Sequence, residues 1–178
     1  MVYSRKYFYK ICIVGNAGVG KSTLLYQYLK GQFKFRVEST IGSNFFVKSL
    51  NLSDVTTPII LQVWDLAGQE HFKWVRRAFY IGANGIVYVF DLTDYRSFED
   101  LYPWKEEVEK VIGIKPNILV GNKLDLINSE NRAIPIQDTK TLKNHLSSQA
   151  YYETSAKLGT KVNEVFSKLA LEIYKLFE

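Results

Sequence analysis

The hydrophobic pattern changes period repeatedly along the chain. Tyr7–Gly15 is a β-branched and aromatic run ending in glycine, and it predicts a buried strand. Lys21–Lys30 follows as a helix, and Phe45–Leu52 and Ile59–Leu66 predict two more strands joined by the turn-rich Ser53–Pro58. Gly85–Asp91 and Asn117–Gly121 are short apolar runs, as expected of central strands covered on both faces, and Tyr151–Glu153 adds a brief further strand. Helices are expected over Ser97–Ile112, Ile136–Leu146 and Lys161–Phe177. In the last, Val162, Val165, Phe166, Leu169, Ala170 and Ile173 recur at helical spacing and predict a stripe that lies on the sheet. Strands alternating with helices specify an α/β fold, a mostly parallel sheet with helices on both faces. Ligands of such sheets bind beyond the carboxyl ends of the strands, so functional residues should follow strands directly.

Composition narrows the class. At 178 residues, 47% apolar and 23% charged, residues 1–178 fit one globular domain. The single cysteine, Cys12, excludes an internal disulfide and reads as a packing residue, which suits a reducing, cytoplasmic setting. The net charge of +5 is scattered with no block of five like charges, so it describes a solvated surface and predicts no nucleic-acid partner. No apolar run reaches the about 18 residues a membrane span needs. Val2 after Met1 leaves no glycine to myristoylate, and the ending Phe177–Glu178 offers no cysteine to prenylate. Membrane contact is therefore expected only through a lipidated tail not contained in this sequence.

The chemistry does follow strands. Gly15-Asn-Ala-Gly-Val-Gly-Lys-Ser22 matches G-x-x-x-x-G-K-[ST] between a strand and a helix. Its glycines let backbone N–H groups surround a β-phosphate, the new helix presents its positive end, Lys21 adds a charge shared by β- and γ-phosphates, and Ser22 offers a Mg²⁺ ligand. Asp65-Leu-Ala-Gly-Gln-Glu70 comes directly after an apolar strand, placing Asp65 for the metal, Gly68 for a close backbone approach to a γ-phosphate, and Gln69 to orient an attacking water. Asn122-Lys-Leu-Asp125 reads the base. Asp125 can accept from guanine N1–H and the 2-amino group, neither of which adenine offers; the stem of Lys123 lies over the ring; Asn122 ties the loop to the phosphate loop. Thr154-Ser-Ala-Lys157 supplies a weaker signal, the Ala156 N–H as a donor to guanine O6.

These four segments, in this order and spacing, resemble the Ras superfamily of small GTPases over essentially the whole chain. The resemblance implies a P-loop G domain with a six-stranded, mostly parallel sheet, one antiparallel strand and about five helices. It implies GTP/GDP and Mg²⁺ as cofactors. Gly15, Ala17, Gly18, Val19, Gly20, Lys21, Ser22, Thr23, Phe33, Thr40, Gly68, Asn122, Lys123, Asp125, Ser155, Ala156 and Lys157 would contact the nucleotide. Ser22, Thr40 and Asp65 would hold the metal, and Gln69, Lys21, Thr40 and Gly68 would serve hydrolysis. Segments around Thr40 and Gly68–Arg77 would be the two switch loops, ordered by the γ-phosphate and released on hydrolysis. Within the superfamily the chain looks most like a Rab, on Ile41-Gly-Ser-Asn-Phe45, Trp64-Asp-Leu-Ala-Gly-Gln-Glu70 and Phe79-Tyr-Ile-Gly-Ala83. Phe45, Trp64 and Phe79 match the aromatic triad that Rab effectors read, with phenylalanine where Rabs usually have tyrosine at the third position. The implied partners are an exchange factor, an activating protein and effectors, and the implied role is in vesicle traffic. Slow unaided hydrolysis is expected, because no arginine stands in the phosphate loop; Arg36 is the nearest candidate to act in cis. A nucleotide-binding scaffold that does not switch is the alternative. His71 and His145 read as surface residues.

Overall fold

The computed structural model describes residues 7–32, 40–128 and 130–177. In chain order these form β1 (Tyr7–Val14), α1 (Lys21–Lys30), β2 (Ser43–Leu50), β3 (Ile59–Leu66), α2 (Lys73–Tyr80), β4 (Gly85–Asp91), α3 (Tyr95–Glu99), α4 (Leu101–Ile112), β5 (Asn117–Asn122), α5 (Ile136–His145), β6 (Ala150–Glu153) and α6 (Val162–Tyr174). The strands build one sheet in the order β2-β3-β1-β4-β5-β6. Only the β2–β3 pair is antiparallel, as expected.

The two faces of the sheet carry separate cores. One packs β1, β3, β4 and β5 against α1 and α6, with Ile11, Val63, Val89, Leu24, Phe166 and Leu169 at its centre. All six stripe positions of α6 are buried, as its period predicts. The Phe166 ring stacks on Tyr28 of α1 at 4.0 Å between centroids. Gly85 permits this helix to lie close on β4: a Cβ there would meet Ile173 Cδ1 at 2.8 Å. The other core joins Cys12, Tyr80, Phe90, Leu101, Trp104 and Leu119 between the opposite sheet face and α2, α4 and α5. Cys12 is fully buried, in keeping with a packing role.

Three elements depart from expectation. β2 begins two residues early and stops at Leu50 rather than Leu52, because its partner Ile59 follows Pro58, which has no N–H to extend the ladder. The helix expected over Ser97–Ile112 is two helices. Asp94 accepts from Arg96 N and starts α3, but Pro103 cannot donate to the Glu99 carbonyl, so the chain restarts at Asp100 with Trp104 N donating to Asp100 O. Counting α3 and α4 as that one interrupted helix leaves five among the described residues. Finally, the stretch expected as a loop up to Arg77 contains a 3-10 turn at Glu70–Phe72 and then α2.

Candidate functional site

The carboxyl ends of β1, β3, β4, β5 and β6 meet at one edge, and the residues singled out in sequence gather there. Gly15 leaves β1 at φ 139°, and a side chain on it would collide with the Val89 carbonyl. Gly18 and Gly20 also take positive φ, at 81° and 96°, curving residues 15–20 into a concave loop. A side chain on Gly20 would strike Asn122 Nδ2. Ala17 and Gly18 are exposed at the lip, Val19 is buried beneath, and Thr23 is half-buried in the first turn of α1. The Lys21 ammonium is held in the hollow by the carbonyls of Gly15 and Asn16, each at 2.8 Å. Burial pushes its pKa down to about 8, with Asp65 opposing and Arg76 adding to the effect. A buried cation in a concave loop at a helix N-terminus is an environment that favours an anion.

Ser22 opens α1, Asp65 lies near the end of β3, and Thr40 precedes β2. Their oxygens converge: Ser22 Oγ is 2.9 Å from Thr40 Oγ1 and donates a very short bond to Asp65 Oδ2, which Thr40 Oγ1 reaches at 3.3 Å. Burial raises the Asp65 pKa, while the Ser22 bond and Lys21 lower it. No group of three or more His, Cys, Asp or Glu side chains that could hold a metal exists among the described residues. An all-oxygen set of one carboxylate and two hydroxyls suits a hard ion such as Mg²⁺ that keeps waters and phosphate in its remaining positions.

Gly68 closes the phosphate end. Its backbone lies on the loop so tightly that a Cβ would strike Ala17 N and Asn16 C and sit 2.6 Å from Gly15 O. Gly68→Ala is therefore expected to displace the segment and slow single-turnover hydrolysis by about 10-fold or more. GDP affinity should fall less than hydrolysis if Gly68 serves the γ-phosphate as expected from sequence; equal loss in both measurements would refute this. Gln69 Oε1 is buried and has no hydrogen-bond partner among the described residues.

At the other end, Asn122 joins three segments. Its Nδ2 donates to Val19 O at 3.0 Å, and its Oδ1 accepts from Thr154 Oγ1 at 3.0 Å and from Ala156 N at 3.3 Å. The Ala156 N–H, expected for guanine O6, is thus engaged with Asn122. Asp125 accepts from Ser155 Oγ at 2.6 Å through Oδ1. Lys123, at φ 68°, pairs with Asp91 Oδ2 at 2.6 Å. Lys157 is exposed beside them. Phe33 and Arg36 lie outside the described residues.

The aromatic triad forms one row: Phe45 and Trp64 are 4.8 Å apart, and Trp64 and Phe79 5.4 Å. Phe45 is 47% exposed, whereas Trp64 and Phe79 back onto the core. His71 and His145 are exposed, as read from sequence.

Sequence reasoning missed a second group of residues. Arg76, fully buried in α2, donates to both carboxylate oxygens of Glu107 at 2.8 Å. Tyr80 donates to the same carboxylate at 2.6 Å. Trp104 Nε1 donates to Asn16 Oδ1 at 2.9 Å, and Asn16 Nδ2 to Asp100 Oδ2 at 2.6 Å. A cavity of about 500 Å³ lies between these residues and the phosphate loop, walled by Ala17, Gly68 and Pro103 among others. The signal available was the spacing Phe72, Arg76, Tyr80; a charged residue in the buried register hid it.

A G-x-x-x-x-G-K-[ST] loop between β1 and α1, with an acidic residue at the end of the neighbouring β3, defines a P-loop nucleotide-binding domain. The Ras family model matches residues 10–175. Ras-related protein Rab-1D of Dictyostelium discoideum is 39% identical over 176 residues, covering 97% of this chain and 83% of its own. Two Arabidopsis thaliana proteins, Ras-related proteins RABG3f and RABD2a, are 36% and 38% identical and cover 96% and 94% of this chain, with 84% and 80% of their own lengths aligned. The chain belongs to the Ras family: it is a small GTPase, similar to Rabs.

Proposed function

We propose that this protein is a GDP/GTP switch of the Rab type, a single G domain that hydrolyses GTP slowly and is read in its GTP state by effectors. The observation that carries the reading is the meeting of Thr40 with Ser22 and Asp65, since it joins a segment beside β2 to the phosphate loop and β3 at the metal position. Ser22, Thr40 and Asp65 would hold Mg²⁺, which when bound offsets charge on the β- and γ-phosphates. Lys21 binds the same phosphates, Gly68 meets the γ-phosphate through its backbone, and Gln69 orients water with its open amide oxygen. Asn122, Lys123 and Asp125, backed by Ser155, Ala156 and Lys157, recognise guanine. Contacts available only with a γ-phosphate favour one arrangement of the Thr40 and Gly68 segments, and their loss on hydrolysis releases it.

Effectors would dock on the Phe45–Trp64–Phe79 row and the adjoining switches. An exchange factor and an activating protein would act on the same side, the latter supplying an arginine. The Rab-named relatives favour a role in vesicle traffic at the cytosolic face of a membrane. Among the described residues no helix is long and apolar enough to cross one.

The test compares amide hydrogen exchange in GDP-loaded and GTP-analogue-loaded protein. Protection at residues 40–45 and 66–80 should rise with the analogue, while α6 stays unchanged. Identical protection in the two states favours the non-switching scaffold instead.

A further inference from the structure

We propose that Arg76 is a positioning residue for GTP hydrolysis, holding the Ala67–Gln69 backbone in place from a mount on α4. This rests on the reading of Gln69 as the residue that orients water. Arg76 is 1% exposed, and each of its three guanidinium nitrogens is hydrogen-bonded. Nε and one terminal nitrogen grip the Glu107 carboxylate. The other terminal nitrogen donates to the carbonyls of Ala67 at 3.1 Å and Gln69 at 2.8 Å. The group also lies over the Trp104 ring, 4.1 Å from its centroid. Gly68 sits between the two held carbonyls. Arg76 therefore brackets the residue that touches the phosphate loop and fixes the backbone of Gln69, whose amide oxygen is buried and open.

The mount reaches the phosphate loop from the other side as well. Trp104 bonds Asn16, and Asn16 bonds Asp100, so the first two turns of α4 and its N-cap hold both the phosphate loop at Asn16 and, through Arg76, the segment at 67–69. Guanidinium geometry suits such a double hold. Its planar fork satisfies a carboxylate with one edge and carbonyls with the other, which a lysine ammonium cannot do with the same spacing. A sidewise displacement of a water-orienting group by about 1 Å can cost about 10²-fold in rate.

The test is a single-turnover hydrolysis cycle on the whole chain, with Gln69→Leu, Arg76→Met and the double variant, alongside GDP and GTP-analogue affinities. Arg76→Met should slow hydrolysis by about 10- to 100-fold, with affinities held within about threefold. In the Gln69→Leu background it should slow it by no more than about twofold further, because a residue acting through Gln69 has nothing left to position. Independent, multiplying losses would overturn the proposal, as would Arg76→Met at wild-type rate. Glu107→Gln keeps the side chain's shape and one acceptor, so it protects the test against simple misfolding; it should give a smaller loss in the same non-multiplying pattern. If Gln69→Leu itself hydrolyses at the wild-type rate, the water-orienting reading fails first; a slow Gln69→Leu beside a fast Arg76→Met rejects the latch alone.

Discussion

Asp125→Asn is expected to weaken GDP binding by about 3–6 kcal/mol, or about 10²- to 10⁴-fold, through loss of two charge-assisted hydrogen bonds to the guanine edge. The amide left behind offers a donor where the carboxylate accepted, and xanthine presents an acceptor oxygen at that position. XDP affinity should therefore rise as GDP affinity falls. The surrounding geometry favours a clean exchange. Ser155 Oγ holds Asp125 Oδ1 at 2.6 Å, and an asparagine oxygen can keep that bond while its nitrogen takes the outward place. Lys123 is anchored separately by Asp91, so the ring's cover should survive the substitution. Competition binding with GDP, XDP and ADP reads all of this. An unchanged preference for GDP removes Asp125 as the reader of the base.

Gln69→Leu is expected to reduce single-turnover hydrolysis by at least about 10-fold while leaving GDP and GTP-analogue affinity within about twofold. The physical reason is local. The side-chain oxygen is buried and has no hydrogen-bond partner among the described residues, an arrangement that water would satisfy. Leucine fills similar volume and removes both the acceptor and the donor. Its effect should fall on the chemical step alone, since the groups assigned to the phosphates and the base lie elsewhere. Hydrolysis at the parental rate would show that water is oriented by something else.

Much of this was legible because phosphate and metal chemistry demands particular atoms at particular spacings. The 15–22 loop, Asp65 and the Asn122–Asp125 segment stand out against apolar strands that define their context. The α6 stripe was equally readable, since burial there is entirely aliphatic and aromatic. What stayed hidden was polar burial. Arg76 occupies an interior position that a hydrophobic pattern marks as surface, and so α2 read as a loop. Its partner Glu107 lies 31 residues away, where no local pattern links the two. The break at Asp100 was missed for a different reason: Pro103 sits where either a first-turn proline or a helix stop reads the same. Ala156 illustrates a further limit, because its N–H faces Asn122 and only the assembled loops reveal that competition.

Both layers beside the sheet are held by apolar cores, and the front one carries a buried polar chain in addition. Behind it, the ring of Tyr28 on Phe166 and the close seat of α6 over Gly85 depend on exclusion of water, a cohesion that yields all at once. In front, an apolar core is crossed by discrete polar links, from Arg76 to Glu107 and to the Gln69 carbonyl, and from Asn16 to Trp104 and Asp100. Each of these links is buried or part-buried, and breaking one without replacing it strands a polar or charged group away from water. The front face is thus keyed by direction as well as by burial, and its segments settle only in arrangements that pair those groups again.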